Sequence, residues 1–495
     1  MATKTEMVTT ASPEASSGGK AKPSVEETYK VQEGSMRSSS SLTLQTSNDE
    51  KVDHCRKIPD KQWAQPCRGF RFRILIVYRF LFSLVGLFNI GILVAVLLVN
   101  TGSEWLGTIT AANLVVAIVI RQDTAINALY KIFCSAPKSL PVGIRRYCAK
   151  IYHLGGVHSA AGFCATLWLV ESTLRSTILR AQNRAPESLA TLVISWLLSA
   201  LCCVIVTFAY PAFRRRYHNT FEWLHRFLGW TTLALFWVRT VLSAYDSSSS
   251  DYHLGQALVR SPGLWMLVIA TLSVASSWFF LRRVPVEVMP MSDHAVMLNF
   301  NYTQMMPPKG SFQRVSTRPL LEWHSFATYP QPKANGLASS RGYSMLISNA
   351  GDWTKACIQK PPSHLWVRGI PVCGVMHITH LFRRVVFIAT GSGIAPMLGF
   401  ISSPSCPTQL IWSTPDPEKT FGKPVLDVIH RTIPNATIHD TRLKGRPDLV
   451  TMGYNLAHDF GAEAVMVIAN EKVTKKVVYG LETRGITAYG AIWDS

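Results

Sequence analysis

Acidic residues are scarce in this chain: 30 Asp and Glu stand against 50 Lys and Arg, a formal charge of +20 over 495 residues. Such an excess invites a nucleic-acid partner, but no nucleic-acid-binding motif is present, and none is expected to bind. The basic residues cluster instead beside apolar stretches, where anionic lipid headgroups would meet them. The 10 cysteines have neither metal-ligand spacing nor the pattern of a disulfide framework, which argues against a stapled secreted module and for a reduced cytosolic face. Cys164, Cys202 and Cys203 fall inside apolar stretches and read as small apolar filler. The start has no apolar core, so no cleaved leader is expected. Residues 1–68 are rich in Ser, Thr, Lys and Glu with almost no apolar periodicity, the composition of a disordered cytosolic tail.

What the chain has is apolarity concentrated between residues 74 and 281. Six stretches, Ile74–Val99, Trp105–Ile120, Ile151–Val170, Leu189–Ala209, Phe221–Leu242 and Gly263–Leu281, each approach the ~20 residues that span a bilayer. Arg68, Arg71, Arg73, then Lys131, Arg145, Arg146 and Lys150, then Arg214 to Arg216, then Arg282 and Arg283 all fall on one side if the N-terminus is cytosolic. Arg175, Arg180 and Arg184 dissent. The expectation is a transmembrane domain over 69–283, with membrane lipids as partners and both termini cytosolic.

From Val284 the pattern changes to short alternating strands, beginning with Val286–Asn299, and turn-rich gaps; a small antiparallel barrel over 284–380 fits. Over 381–495, apolar runs at Val385–Ala389, Gln409–Trp412, Ala436–His439, Ala464–Ile468 and Ala488–Trp493 alternate with helix-like segments near Pro424–Ile433, Pro447–Ala457 and Lys472–Gly485. That rhythm predicts a doubly wound parallel sheet. Its key stretch is the first strand and the turn after it. Thr390, Gly391, Ser392 and Gly393 make a tight polar turn, and Pro396 suits the first turn of the next helix. A strand–turn–helix of this kind favours a pyrophosphate, and its glycines allow close backbone approach. The third glycine of the dinucleotide fingerprint is replaced by Pro396.

Ala389-Thr-Gly-Ser-Gly-Ile-Ala-Pro396 resembles the pyridine-nucleotide motif of ferredoxin-reductase-type flavoproteins, in particular ferric reductases and NADPH oxidases. Gly351-Asp352-Trp353-Thr354 is similar to a stretch of the same flavoproteins, and Glu322-Trp-His324-Ser325-Phe326-Ala327 occupies the place of their flavin-binding His-Pro-Phe-Thr. The ending, Lys475 to Gly485 and on to Trp493-Asp-Ser495, resembles the fungal Tmp-type membrane flavoproteins, which occur alone or fused behind an adenylate-forming domain. The resemblance covers about residues 70 to 495, with no adenylation domain in this chain. It implies FAD, with His324, Ser325 and Phe326 bordering the flavin ring, Gly351 to Thr354 at its pyrophosphate, NAD(P)H at Thr390 to Gly393 and Pro396, and Trp493 over the ring or beside the nicotinamide cleft. Departures at Ser325, Ala327, Ser348 and Gly369-Ile-Pro-Val-Cys-Gly374 predict weakened flavin affinity. The His377-x-x-His380 pair has no further ligands near it in sequence and reads as chance.

In the ferric-reductase family the third and fifth spans each carry two histidines that hold two stacked haems. Here the depths of His158 and His225, counted from the flanking basic residues, differ by about 1.5 Å at helical rise, so they can face each other as the metal ligands of one inner haem b. His153 and His218 sit roughly 7–11 Å away, too near the first pair for a second haem. Counting on from His158 and His225 to the outer site reaches Glu171, Ser172 and Arg239, which predicts a Glu171–Arg239 ion pair closing it.

The expected architecture is therefore an α-helical six-span membrane bundle followed by an antiparallel β-barrel flavin domain and an α/β doubly wound nucleotide-binding domain. The expected activity is that of a membrane-bound NAD(P)H-dependent flavin oxidoreductase with at most one haem and an unidentified electron acceptor. The Tmp-type resemblance implies a role in redox signalling or balance linked to fungal asexual development (conidiation). Two alternatives stay open: a flavin-only reductase of a lipid-soluble or secondary-metabolite substrate, and a degenerate, non-catalytic signalling protein. No catalytic residue is assigned.

Overall fold

Helices stand where the apolar stretches predict them. The computed structural model describes residues 56–61, 76–99, 103–184, 187–248, 253–301, 305–330 and 342–491. The first half runs through α1 (Val77–Val99), α2 (Ser103–Val119), α3 (Asp123–Cys134), α4 (Val142–Cys148), α5 (Gly155–Ala181), α6 (Leu189–Phe208), α7 (Pro211–Arg216), α8 (His218–Asp246), α9 (Leu254–Arg260) and α10 (Pro262–Ser276). Among the described residues three helices, α1, α6 and α8, are long and apolar enough to cross a membrane, or up to 5 if the bent pairs α2–α3 (73°) and α9–α10 (70°) each form one span. The six predicted segments are thus helical, but six spans are not reached. The helix that falls short is α5, and its position explains why. It carries Glu171, Arg175 and Arg180, and it buries Gly155, Gly156, Ala160, Ala161, Ser172 and Ser176. Its packed faces exchange apolar bulk for small residues that let neighbours approach, while Phe163, Leu167, Leu174 and Ile178 stay exposed on another face.

The basic stretch between α2 and α5 is not a loose loop. The chain bends sharply after α2, and α3 lays one face on the sheets: Asn127 Nδ2 donates to Pro371 O (2.8 Å), and the Cys373 amide donates to Asn127 Oδ1 (2.8 Å). Tyr130 and Ala149 are buried in the same apolar cluster as Met376, Phe382 and Phe387.

Eight antiparallel strands follow: β1 (Arg282–Pro285), β2 (Glu287–Pro290), β3 (Ala295–Phe300), β4 (Ser311–Ser316), β5 (His324–Ala327), β6 (Tyr329–Pro330), β7 (Tyr343–Ser348) and β8 (His364–Cys373), with α11 (Asp352–Gln359) between the last two. They form two four-stranded sheets, β1-β8-β4-β5 and β2-β3-β7-β6, around one core that holds Val284, Phe300, Val315, Met345, Ile347 and Val367. The run Val286–Asn299, expected as one strand, is the hairpin β2–β3: Ser292 Oγ accepts from the amides of His294 and Ala295 and turns the chain. Gly369 to Cys373 form the second half of β8. Gly369 takes a φ of +69° where the register with β4 slips.

The last third alternates as predicted: β9 (Val385–Thr390), α12 (Ala395–Ile401), β10 (Thr408–Thr414), α13 (Pro417–Phe421), α14 (Lys423–Thr432), β11 (Thr437–Asp440), α15 (Thr441–Lys444), α16 (Leu449–Asp459), β12 (Ala464–Ile468), α17 (Glu471–Glu482) and β13 (Ala488–Gly490). The sheet order is β11-β10-β9-β12-β13, all parallel, with β9 central and wholly apolar in its buried positions.

The described part of the N-terminal tail departs from expectation. Residues 56–61 lie on α16 and α17: Ile58 joins their apolar cluster, Arg56 Nη2 meets Asp459 Oδ1 at 2.9 Å, and Arg484 Nε donates to Pro59 O at 2.8 Å. One apolar side chain with a slot to fill, and carbonyls with donors in reach, suffice to order a short polar segment. The rest of 1–68 lies outside the described residues.

Candidate functional site

Strand order changes direction between β9 and β12: the chain runs from β9 through β10 to β11 on one side, then crosses to β12 and β13 on the other. Such a switch point opens a crevice at the carboxyl ends of the strands, where ligands of doubly wound sheets bind. Thr390 to Gly393 stand there, folded as a single 3₁₀ turn over Gly391–Ile394 that runs into α12 with Pro396 in its first turn. The two glycines have different reasons. Gly391 has a φ of +51° and open space where a Cβ would point. Gly393 is buried, and a Cβ there would strike the Ile468 carbonyl at the end of β12. The first therefore fronts the crevice, and the second is required by packing against β12. Trp412 Nε1 donates to Gly391 O at 2.9 Å and fixes the turn from the β10 side. Ser392 is exposed, and the buried Thr414 Oγ1 at the end of β10 has no hydrogen-bond partner.

The flavin-motif residues converge as well. The His324 and Trp353 rings stack at 4.4 Å between centroids and 24°, and Phe326 stacks on the other reach of Trp353 at 5.6 Å and 27°. Among the described residues His324 Nε2 and Trp353 Nε1 are both buried without a hydrogen-bond partner; Glu322 Oε2 lies 3.5 Å from His324 Nε2 without making a hydrogen bond to it. Buried polar atoms are normally satisfied, so two orphans on stacked rings mark ground shaped for something else. Gly351 stands exposed at the N-terminus of α11 with nothing within 4 Å of a Cβ position, and Asp352 beside it is exposed. The Thr354 hydroxyl is engaged by its own backbone: it accepts from the Ala350 and Gly351 amides, each at 2.9 Å. Ser325 points outward on β5 and makes none of these contacts.

The two motif groups meet along one seam. β5 leads directly to Thr328 and Tyr329, and Gly399 on α12 packs against the Thr328 carbonyl, at 3.4 Å from a Cβ position. Tyr329 and Leu346 of the antiparallel sheets share a cluster with Phe387 of β9 and Met397 and Phe400 of α12. His377 and His380 lie along this seam with rings 4.9 Å apart. His377 Nδ1 sits 2.8 Å from Lys309 O, and burial pushes the His380 imidazole down to about 4. Among the described residues no group of three His, Cys, Asp or Glu side chains could hold a metal.

Sequence reasoning missed the residues that join helices to sheets. Asp123, at the bend after α2, reaches Arg314 Nη1 on β4 at 2.5 Å. Arg368 on β8 lies over both Trp278 (5.4 Å) and Trp323 (4.6 Å), and burial, then Arg314, lowers its guanidinium to about 10. These contacts cross long sequence distances, and no local pattern signals them.

In the helical region His158 on α5 and His225 on α8 face each other with ring centroids 6.0 Å apart. His158 Nδ1 is 2.7 Å from the Ala117 carbonyl, which leaves its Nε2 free; His225 Nδ1 is buried and unpartnered. The other two histidines do not join them: His153 packs on Tyr152 at 4.2 Å, and His218 lies on the surface beside Glu222. The expected Glu171–Arg239 pair does not form. Arg239 Nη2 lies 3.7 Å from Glu187 Oε1, and its Nε donates to Ser195 Oγ at 2.9 Å, while Glu171 Oε2 is buried without a partner. Thirteen residues of helix turn Glu171 about 220° round from His158, whereas Ser172 and Arg239 each fall about 40° from their histidine's face. Trp493 lies outside the described residues.

A family model described as the C-terminal domain of adenylate-forming reductase 03009 matches residues 375–495. Adenylate-forming reductase 03009 of Coprinopsis cinerea is 43% identical over 438 residues, 88% of this chain and 42% of that protein. Adenylate-forming reductase 06235 of the same fungus is 41% identical over 440 residues, 89% of this chain and 42% of that protein. The chain thus spans 42% of the length of these curated relatives. Among solved structures, a ferredoxin NADP+ reductase from Neisseria gonorrhoeae with bound FAD and NADP aligns at 13% identity and a TM-score of 0.34, over 43% of this chain and 99% of that one.

Proposed function

We propose that this protein is a membrane-anchored, NAD(P)H-dependent flavin oxidoreductase, with the flavin held against His324, Phe326 and Trp353 and the nicotinamide nucleotide at the Thr390–Gly393 turn. The observation that carries the reading is the pair of orphaned buried atoms, His324 Nε2 and Trp353 Nε1, on stacked rings beside a seam that leads to an open switch-point turn. A flavin ring offers an apolar face and hydrogen-bonding edges, the two properties those groups lack a partner for. Bound FAD would take a hydride from NAD(P)H and pass its electrons onward. The chain's own residues do the positioning. Trp412 holds the Gly391 carbonyl so that the turn keeps its shape, and the open ground before Gly391 and Gly351 admits phosphate groups. Packing of α12 against Thr328 and Tyr329 keeps the two binding surfaces at a fixed spacing. The relatives that carry the name reductase support the same class of chemistry, as does the alternation of sheets expected for it.

Membrane anchoring rests on the three to five spans that length and composition allow, with α1 exposing Leu87, Phe88, Leu97 and Leu98 along its outer face. The role in redox signalling and conidiation rests on the Tmp-type resemblance alone. The test is direct: full-length protein in detergent, reconstituted with FAD, is mixed anaerobically with NADPH and with NADH. Bleaching of the flavin band by either nucleotide is expected. A protein that keeps flavin but is bleached only by dithionite would end the reading.

A second reading concerns the helical region, favoured by the 6.0 Å approach of His158 and His225. Two imidazoles from separate helices, one oriented through its Nδ1 by the Ala117 carbonyl, would hold the iron of one haem, which would supply one-electron transfer there. A Soret band in the purified protein, lost in His225→Ala, is the expected outcome. A spectrum with flavin alone leaves the flavin-only enzyme.

A further inference from the structure

The half of the helical region remote from the sheets contains a cavity of about 160 Å³ between α2, α5, α8, α9 and α10. Its walls are of two kinds. Leu169, Phe236 and Leu267 make an apolar side, and Thr240, Ser243 and Arg239 a polar one. Arg239 is 14 residues beyond His225 on α8, so the cavity lies about 21 Å further along that helix and is separate from the flavin and nucleotide surfaces.

The guanidinium is only partly satisfied. Nε is committed to Ser195 Oγ at 2.9 Å, and Nη2 lies 3.7 Å from Glu187 Oε1, an ion-pair distance too long for a charge-assisted hydrogen bond. Nη1 makes no hydrogen bond to any described residue, and the group lines the cavity beside Gly107, whose missing side chain leaves it room. Three of the lining hydroxyls donate to backbone carbonyls: Thr110 to Leu106 O, Thr240 to Phe236 O and Ser247 to Ser243 O. Arg239 therefore presents a donor, Nη1, to this space with no acceptor bonded to it among the described residues.

We propose that this cavity is a binding site for a small neutral carbonyl compound with one ring, the carbonyl oxygen accepting from Arg239 Nη1 and the ring lying on Phe236, Leu169 and Leu267. Size sets the single ring: an apolar cavity of about 150 Å³ takes one benzene. Charge sets the neutrality. Glu187 already balances Arg239, and its other oxygen accepts from Ser176 Oγ at 3.2 Å, so a carboxylate ligand would bring a second, uncompensated negative charge into a poorly solvated place. A carbonyl oxygen asks only for a donor. This site does not rest on the flavin reading, and its occupant needs no electron to bind.

The experiment uses full-length protein in detergent and two probes of equal size, acetophenone and benzoate, followed by saturation-transfer NMR from the protein to the ligand. Acetophenone is expected to bind and benzoate to bind more weakly. Arg239→Met should weaken acetophenone about tenfold, the loss of one hydrogen bond. Because that variant strands Glu187, a second one, Ala111→Phe, fills the cavity from α2 without touching the arginine and should abolish the signal. Flavin reduction by NADPH should persist in both variants. Tighter binding of benzoate than of acetophenone would overturn the neutral-carbonyl assignment, and a signal that survives Ala111→Phe, or no binding of either probe, would overturn the site.

Discussion

Arg145 and Glu463, 318 residues apart in the chain, meet in a two-pronged ion pair, Nη1 to Oε2 at 2.7 Å and Nη2 to Oε1 at 2.8 Å. Arg145 is 3% exposed and also donates to the Leu381 and Leu140 carbonyls, while the Arg383 amide donates to Glu463. The pair fastens α4, which the helical region supplies, to the amino end of β12 in the parallel sheet.

The pair makes stability depend on pH. The Arg145 hydrogen bond, reinforced by the Arg383 amide, holds the Glu463 carboxyl at about 2, below its ordinary 4.5. A depressed carboxylate stabilises the fold fully above the unfolded value and loses that contribution as pH falls from 4.5 through about 2. Glu463→Gln should lower unfolding free energy at neutral pH by about 3–5 kcal/mol, because Arg145 is left buried with half its partners. It should also flatten the acid limb of a Tm-against-pH curve; an unchanged acid limb would contradict the assignment.

Gly391 and Gly393 should fail differently when substituted. Gly391→Val puts a branched side chain into the open crevice at a positive φ, so NAD(P)H-dependent bleaching should vanish while dithionite still bleaches the flavin. Gly393→Ala meets the Ile468 carbonyl and should cost about 1–3 kcal/mol of stability with or without nucleotide. Thermal melts and anaerobic titrations of both variants separate the two roles, and equal effects on stability and bleaching in the pair would refute the distinction.

Gly369 holds a φ of +69° and its missing Cβ makes room for Asp123, the residue that ties the α2–α3 bend to Arg314. Gly369→Ala combines backbone strain of about 1–3 kcal/mol with that collision. Faster proteolysis between helices and sheets is expected, along with a lower Tm. Asp123→Ser in the same background should restore part of the loss by removing the collision.

Arg239 should couple to Glu187 and not to Glu171. A double-mutant cycle of Glu187→Gln with Arg239→Met should give an interaction energy above about 0.5 kcal/mol, while Glu171→Gln with Arg239→Met should add within about 0.5 kcal/mol. Coupling in the second cycle would restore the ion pair that the helix faces deny.

Much of the architecture was legible because it depends on neighbours in sequence. β12 occupies the run Ala464–Ile468 residue for residue, and Val385–Thr390 is the buried central strand its apolar run predicts. His158 and His225 meet because equal depth on two helices coincided with facing sides. The candidate site was legible as a set of motifs but not as a surface: nothing in Gly351-Asp-Trp-Thr says that Trp353 stacks on His324, or that both ring nitrogens are left without partners.

By itself the sequence determined where the long apolar helices and the parallel strands lie, their order, and the turn that fronts the parallel sheet. Those follow from periodicity and backbone conformation, which act over a few residues. Only the tertiary structure decided partners. Arg239 takes Glu187, brought in by the connection between α5 and α6, because that carboxylate reaches its side of the bundle and Glu171 is turned away. Arg145, on a stretch that reads as a lipid-facing basic loop, takes Glu463 because α3 and α4 fold back onto the sheets. A charge in a poorly solvated place pairs with whichever opposite charge packing brings within reach, and packing is settled by the whole chain at once.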